Sequence, residues 1–132
     1  MRFGGFMIDM DGTVYKGGVP IPGAREFIAF LKERGIPFTF LTNNSAHGRS
    51  FYLQKLTRLG FDVGIDNILT STIATIRYLL SERPGRTVYP VAVPEVVDEM
   101  RAAGIPLVEK DPDIVVLTFD TTITYEKIND AF

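Results

Sequence analysis

Two nearly continuous apolar runs, separated by one helical pattern, constrain the fold of this chain more than any other feature. Residues 3–8 and 36–41 lack the alternation of surface strands and are typical of parallel strands covered on both faces. Residues 22–34 carry apolar side chains at helical spacing, and a glycine follows as a stop signal. The predicted apolar stripe consists of Phe27, Phe30 and Leu31. Such a strand–helix–strand unit ends both strands at the same edge of a parallel sheet, so the sequence predicts an α/β fold.

Two aspartates follow the first apolar run, where the strand is expected to end. Residues two apart on an extended backbone project to the same side, so Asp9 and Asp11 are predicted to lie toward one crevice. Carboxylates at the end of a buried strand repel each other and lose hydration, and an oxygen-preferring cation such as Mg²⁺ offsets both costs. Gly12 allows a sharp turn and a close approach of a ligand to the main chain. A plain turn is the alternative, but it explains Asp9 poorly.

Small polar residues follow the second apolar run, at the same predicted edge of the sheet. This segment consists of Thr42, Asn43, Asn44 and Ser45. Its hydroxyl and amide groups can hold phosphate oxygens through neutral hydrogen bonds. Taken by itself, the segment is better explained as a loop that caps the next helix. Because parallel strands bring Thr42 beside the two aspartates, a phosphate site is the favoured interpretation.

The remaining elements are predicted from periodicity and turn residues. A Gly-Gly pair within residues 14–21 indicates a hairpin, with a plain connecting loop as the alternative. The helix after the third strand is predicted to be capped by Ser71 or Thr72 and to bury Ile73, Ile76 and Leu80. The other predicted strands are residues 67–70, 87–93 and 114–119, and the other predicted helices are residues 50–59, 71–82, 94–103 and 124–132.

The pattern Asp-x-Asp-Gly-Thr after an apolar strand resembles the first motif of the haloacid dehalogenase superfamily of phosphotransferases, and Leu-Thr-Asn-Asn-Ser resembles its second motif. The resemblance implies that Asp9 is the nucleophile that becomes an aspartyl-phosphate, and that Asp11 is the general acid and then the general base. It implies Mg²⁺ as the cofactor, with the Asp9 carboxylate and the Asp11 main-chain carbonyl as its ligands. The residues that it implies for binding the phosphoryl group are Thr42, Asn43, Asn44 and Gly12.

Over its whole length the chain resembles one branch of that superfamily, the NagD-like or p-nitrophenyl phosphatase-like proteins. The resemblance implies a Rossmann-like, three-layer parallel core into which a large α/β cap domain is inserted after the third strand and its helix. We therefore expect residues 1–82 to form the first half of the core and residues 83–132 the first part of the cap. The turn residues Arg83-Pro84-Gly85-Arg86 mark the predicted boundary.

Two expected features of that family have no candidate in this sequence after Lys127. They are a lysine that screens the nucleophile and the phosphate, and a Gly-Asp motif that completes the magnesium site. Both belong to the half of the core that follows the cap, so the chain is expected to represent the N-terminal half of such a protein. Electrostatic stabilisation carries most of phosphoryl-transfer catalysis, and we expect the chain alone to be nearly inactive.

Composition argues against several other classes of function. The absence of cysteine excludes disulfides, thiolate metal sites and thiol catalysis, and a single histidine, His47, excludes a multi-histidine metal site. That histidine is interpreted as solvated, and the nearby Arg49 as a surface residue before a helix, with contact to the anionic part of a substrate as the alternative. A net charge of −2 provides no basic surface for nucleic acid, and we expect no nucleic-acid partner. No apolar run reaches membrane-spanning length and no signal-peptide pattern is present, so we expect a cytoplasmic enzyme without a membrane partner.

The expected activity is therefore a Mg²⁺-dependent phosphomonoesterase acting on a small phosphorylated metabolite. A phosphoryl mutase would use the same core. A protein of a different class, a non-catalytic phosphate or Mg²⁺ sensor related in chemistry to receiver domains, would keep the aspartates for binding alone. A homodimer, in which a second subunit completes the sheet, is also left open.

Overall fold

The computed structural model describes residues 4–132, and Phe3, at the start of the first predicted apolar run, lies outside them. In chain order the elements are β1 (Phe6–Asp9), β2 (Tyr15–Lys16), β3 (Val19–Pro20), α1 (Ala24–Glu33), β4 (Phe38–Thr42), α2 (Arg49–Arg58), β5 (Ile68–Thr70), α3 (Ser71–Glu82), β6 (Val88–Val91), α4 (Pro94–Ala102), β7 (Ile114–Leu117) and α5 (Tyr125–Asp130). A short 3₁₀ turn, Ile65–Asn67, precedes β5.

The described chain divides into two compact units. The first extends to Asn43 and includes Arg49–Leu69, and the second comprises Asn44–Gly48 and Thr70–Phe132. This division follows local packing, and it groups α3 with the second unit. The boundary predicted after residue 82, between a core and an inserted cap, concerns a different property and stays a prediction.

The first unit is organised around parallel strands. The sheet has the order β1-β4-β5, and β1 pairs with β4 in parallel, with Ile8 opposite Phe40 and Asp9 opposite Leu41. Because the helix α1 separates these two strands in sequence, both strands run in one direction and end at one edge. The predicted α/β fold with a parallel sheet is confirmed.

The two helices of the first unit pack with the sheet in one apolar core. Phe38 and Phe40 of β4 lie in this core with Ile28 of α1 and Leu56 of α2. Leu56 and Phe40 have no exposed surface, and burial of such side chains stabilises the fold by roughly 1.5–3 kcal/mol each. Packing against α1 and α2 holds β1 and β4 in place, and with them the ends of both strands.

A short hairpin follows β1, as the Gly-Gly pair predicts. Strand β2 pairs antiparallel with β3, with Tyr15 opposite Pro20 and Lys16 opposite Val19. Gly17 in the turn has φ of 60°, a left-handed conformation that favours glycine. The alternative of a plain connecting loop is wrong.

The buried faces of two helices differ from the predicted stripes. In α1 the buried face includes Ile28, while Phe27 and Phe30 are 40% and 45% exposed. In α3 Leu79 is buried, while the predicted Leu80 is 48% exposed. Leu31 in α1 and Ile73 and Ile76 in α3 are buried as predicted. The other predicted residues lie on the flank of the buried face, where an apolar side chain satisfies the spacing rule without reaching the core.

The second unit contains the parallel pair β6 and β7 with α4 between them in sequence. Val88 of β6 and Met100 of α4 have no exposed surface. The strand predicted over residues 114–119 is found as β7, but it ends at Leu117, which is 73% exposed, so its expected burial is wrong. The side chains of β7 alternate between partly buried and exposed, so only one face of this strand is covered. Over residues 4–132, no helix combines the length and the apolar character needed to cross a bilayer.

Helix α3 begins with a cap that differs from the predicted one. The side chain of Thr70, not of Ser71 or Thr72, accepts a hydrogen bond from the amide of Ile73 at 3.2 Å. The substitution Thr70→Val keeps the shape of the side chain and removes this acceptor. We expect it to lower the free energy of unfolding by about 1 kcal/mol, as measured by urea denaturation.

Thr75→Val in the same helix is the matched control for this prediction. The Thr75 hydroxyl donates to the carbonyl of Ser71, which already lies in the helix, so its loss is expected to change stability little. Equal effects of the two substitutions would contradict the capping role of Thr70.

Candidate active site

The turn after β1 is fixed by main-chain hydrogen bonds. The strand includes Asp9 as its last residue, and the carbonyl of the fully buried Met10 accepts amide hydrogen bonds from residues 13–15. Gly12 has φ of 85° and donates its amide to the carbonyl of Tyr15 at 2.8 Å. The turn therefore requires, at Gly12, a residue that tolerates a left-handed backbone. The turn brings Tyr15 back beside residues 10–12.

The side chains of the two aspartates have different partners. The Thr13 hydroxyl donates to Oδ2 of Asp9 at 3.3 Å. The Tyr15 hydroxyl donates to Oδ2 of Asp11 at 3.2 Å, and Nζ of Lys55 lies 3.7 Å from Oδ1 of Asp11. Both oxygens of Asp11 thus face groups with a hydrogen to donate, although its side chain is 58% exposed.

Tyr15 and Lys55 form a pair of their own beside Asp11. Tyr15 has no exposed surface, and Nζ of Lys55 lies 3.9 Å from the centroid of its ring, within cation–π range. Burial raises the pKa of the Tyr15 phenol, and the negative charge of Asp11 raises it further. The phenol consequently stays protonated and donates to the carboxylate at neutral pH.

Neither Tyr15 nor Lys55 is among the site residues predicted from the sequence. The available signal for Tyr15 is the hairpin, which returns the chain to Asp11 four residues later. The signal for Lys55 is its place in α2 next to Leu56, whose side chain is fully buried. A lysine on the edge of a buried helix face can direct its ammonium group along the protein surface toward a carboxylate.

Thr42 and Asn43 lie at the end of β4. Thr42 is the last residue of the strand and is buried, with 8% of its surface exposed. It directly follows Leu41, which is opposite Asp9 in the parallel register. The ends of β1 and β4 therefore meet at the same edge of the sheet, as expected for a strand–helix–strand unit.

The short segment Asn44–Gly48, which follows β4 and Asn43, belongs to the second unit. Oδ1 of Asn44 accepts the amide of Ala46 at 2.9 Å, the Asx-type turn that is the alternative explanation of this segment. The Ser45 hydroxyl accepts the amide of Phe119 at 2.8 Å. Nδ1 of His47 lies 2.8 Å from Oε1 of Glu95, so the interpretation of His47 as merely solvated is wrong.

The arrangement offers oxygen ligands but few of them. Among the described residues, no group of three or more histidine, cysteine, aspartate or glutamate side chains could hold a metal ion. The first unit thus provides two carboxylates two residues apart, a glycine turn directly after them, and a threonine at the end of the neighbouring strand. Chemically, this set can supply a nucleophilic carboxylate, a second carboxylate for proton transfer, and neutral hydrogen-bond donors for an anion.

Three relatives, two of them with solved structures, match nearly the whole length of this chain. An acid sugar phosphatase of Staphylococcus saprophyticus is 36% identical over 127 residues, which are 96% of this chain and 49% of the relative. The crystal structure of a 4-nitrophenylphosphatase from Thermotoga maritima is 38% identical with a TM-score of 0.91, over 97% of this chain and 49% of that one. The structure of NagD from Escherichia coli is 25% identical with a TM-score of 0.90, over 99% and 52%.

These comparisons bear out the resemblance to NagD-like phosphatases, and the chain spans about half the length of each of these relatives. Residues 6–106 match the family model described as haloacid dehalogenase-like hydrolase. That match includes both aspartates, the hairpin, β4 and the threonine at its end. The chain belongs to the haloacid dehalogenase-like hydrolase family.

Proposed function

We propose that the protein that contains this chain is a Mg²⁺-dependent phosphatase that hydrolyses small phosphate monoesters through an aspartyl-phosphate on Asp9. The observation that carries the proposal is the pair Asp9 and Asp11 at the carboxyl end of β1, beside the end of β4 at Thr42. The names of the relatives, acid sugar phosphatase and 4-nitrophenylphosphatase, support the same class of substrate. The physiological partner is therefore a small phosphorylated metabolite.

The first chemical step uses both carboxylates. An oxygen of Asp9 attacks phosphorus, and the bond between phosphorus and the leaving-group oxygen breaks. The proton of the Asp11 carboxylic acid goes to that oxygen, which leaves as an alcohol. The hydroxyl of Thr42 and the amide of Asn43 hold the phosphoryl oxygens, while the role predicted for Asn44 stays a prediction.

The second step reverses the role of Asp11. A water molecule attacks the phosphorus of the aspartyl-phosphate, and the Asp11 carboxylate takes a proton from that water. The bond between phosphorus and Asp9 breaks, which releases inorganic phosphate and regenerates the Asp9 carboxylate. Asp11 ends the cycle protonated and ready for the next substrate molecule.

The residues present fit Mg²⁺ in kind and fall short in number. The Asp9 carboxylate and the Asp11 carbonyl would hold it with hard oxygen ligands, which this ion prefers. Residues 4–132 hold no third acidic or histidine side chain near enough to form a metal-binding group with them. When bound, the ion would screen the repulsion between the nucleophile and the phosphate dianion.

The proposal includes the expectation that the chain alone is nearly inactive. The test compares the 132-residue chain with a completed protein, in which the chain is joined to the part of the Thermotoga maritima 4-nitrophenylphosphatase that it does not cover. Both are assayed with p-nitrophenyl phosphate, with and without Mg²⁺. We expect turnover by the completed protein that depends on Mg²⁺, and little turnover by the chain alone.

Two results would count against this proposal. Strong turnover by the chain alone would show that the residues outside it are dispensable. A completed protein that takes phosphate onto Asp9 but releases it only over hours would support a receiver-like sensor, because an enzyme must release phosphate within its catalytic cycle.

A further inference from the structure

We propose that Tyr15 and Lys55 are positioning residues that hold the Asp11 carboxyl group in the orientation needed for proton transfer to the leaving group. This inference depends on the proposed function, since it assigns Asp11 the role of general acid. It concerns a lysine of α2 within the described chain, separate from the lysine that the family resemblance places in the other half of the protein.

Both partners contact the Asp11 carboxyl group directly. The Tyr15 hydroxyl binds Oδ2 of Asp11 at 3.2 Å, and Lys55 faces Oδ1 at 3.7 Å, so the two partners approach opposite oxygens of one carboxyl group. Asp11 is 58% exposed at its side chain, and an exposed aspartate without such contacts would sample several rotamers. Contacts to both oxygens restrict the rotation of the group about its side-chain bonds.

Tyr15 and Lys55 are themselves held in place. Tyr15 is fully buried, and its main chain is fixed by the hydrogen bond from the Gly12 amide to its carbonyl. Lys55 lies over the Tyr15 ring at 3.9 Å, and only 24% of its side chain is exposed. A desolvated cation over an aromatic face is more strongly attracted than an exposed one, so the ring also keeps the ammonium group near Asp11.

Misorientation of Asp11 would slow the protonation of the leaving group. A general acid contributes about 10²- to 10⁴-fold to a rate, and small misplacements of a reacting group forfeit much of that contribution. Loss of either partner would leave Asp11 present but poorly aligned. The defect would therefore resemble a partial loss of general acid catalysis, without loss of the nucleophile Asp9.

The experiment uses the completed protein with p-nitrophenyl phosphate, phenyl phosphate and an alkyl phosphate as substrates. These leaving groups differ in how much they need a proton, because p-nitrophenolate leaves readily and an alkoxide does not. In Lys55→Met and Tyr15→Phe we expect kcat/KM for the alkyl phosphate to fall about tenfold more than kcat/KM for p-nitrophenyl phosphate. Lys55→Arg keeps the positive charge, and we expect it to retain most of the kcat/KM for the alkyl phosphate that Lys55→Met loses.

Lys32→Met is the matched control, because Lys32 forms an ion pair with Asp62 at the surface of the same unit. We expect it to leave the ratio of the two kcat/KM values unchanged. If Lys55→Met does not fold, as judged by circular dichroism, Tyr15→Phe carries the test, since it removes only the hydroxyl that donates to Asp11.

The outcomes separate this inference from the proposed function. Wild-type turnover with an equal loss for all three substrates in the variants, or with no loss, would overturn the positioning role and leave the phosphatase proposal intact. Absence of turnover in the wild-type completed protein would overturn the proposed function, and the positioning role would fall with it.

Discussion

Replacement of Asp9 by asparagine is expected to lower the kcat of the completed protein on p-nitrophenyl phosphate by about 10⁴-fold or more. Removal of a nucleophile from a covalent mechanism has effects of this order, because the remaining groups cannot form the intermediate. The amide is nearly the same size as the carboxylate and can still accept the hydrogen bond from the Thr13 hydroxyl, so the fold is expected to persist. Steady-state assays with Mg²⁺ give the rate.

Asp66→Asn serves as the matched control, since Asp66 is an exposed aspartate in the 3₁₀ turn before β5. It is expected to leave kcat unchanged. A rapid quench of the wild-type protein during turnover of a radiolabelled substrate should yield phosphate covalently bound to Asp9, and none in Asp9→Asn. Full activity of Asp9→Asn, or turnover without a covalent phosphate, would end the mechanism proposed for this site.

The parallel sheet and the edge at which its strands end could be predicted from the sequence. An uninterrupted apolar strand is rarely stable unless both its faces are covered. Two neighbouring strands that are connected by one helix pair in parallel. Strand β4 follows both rules, whereas β1 is covered on one face only, since Met7 is 72% exposed. The observed register puts Asp9 and Leu41 opposite each other. Local spacing thus fixes the position of the two aspartates along the chain and relative to the end of β4.

Contacts between distant residues could not be predicted in the same way. The approach of Lys55 to Asp11 depends on the rotation of α2 about its axis, which a spacing rule leaves uncertain by one residue. The same uncertainty explains why Leu79 is buried instead of Leu80. The cap of α3 was misplaced because consecutive hydroxyl residues surround the helix start, and only backbone geometry selects Thr70 among them.

Asp120 lies in the loop after β7 and has a structural role there. Its side chain has no exposed surface, and it accepts hydrogen bonds from Nζ of Lys127 at 2.6 Å and from the Thr122 amide and hydroxyl at 2.7 Å each. Burial acts to raise the pKa of Asp120, but the hydrogen bonds from Lys127 and Thr122 outweigh it and hold the pKa below its usual value. The carboxylate is therefore charged, buried and dependent on its partners.

The substitution Lys127→Met is expected to lower the free energy of unfolding of the chain by about 3 kcal/mol at pH 7. It removes the cation that pairs with Asp120, and it also removes a hydrogen bond from Nζ to the carbonyl of Ala92 at 3.0 Å. Breaking one side of a buried ion pair leaves a buried charge without compensation, which is among the costliest single changes in a protein. Urea denaturation measures the change, with the exposed Lys110→Met as the matched control.

The loss of stability in Lys127→Met is expected to depend on pH. Because the pKa of Asp120 is lowered in the folded chain, the pair stabilises the wild-type protein above the ordinary aspartate pKa of about 3.9, and this contribution is lost as the pH falls through the lowered folded value. The variant Lys127→Met has no such contribution to lose. The difference in stability between wild type and variant should therefore shrink as the pH falls from 7 toward 3.

The double variant Asp120→Asn with Lys127→Met tests whether Lys127 stabilises the chain through Asp120. The double variant has no buried charge at this position, so it should be more stable than Lys127→Met alone. If the two substitutions acted independently, adding Asp120→Asn would not increase the stability of Lys127→Met. A double variant less stable than Lys127→Met, with a difference from wild type that does not change with pH, would mean that Lys127 acts through packing and its bond to Ala92 and not through Asp120.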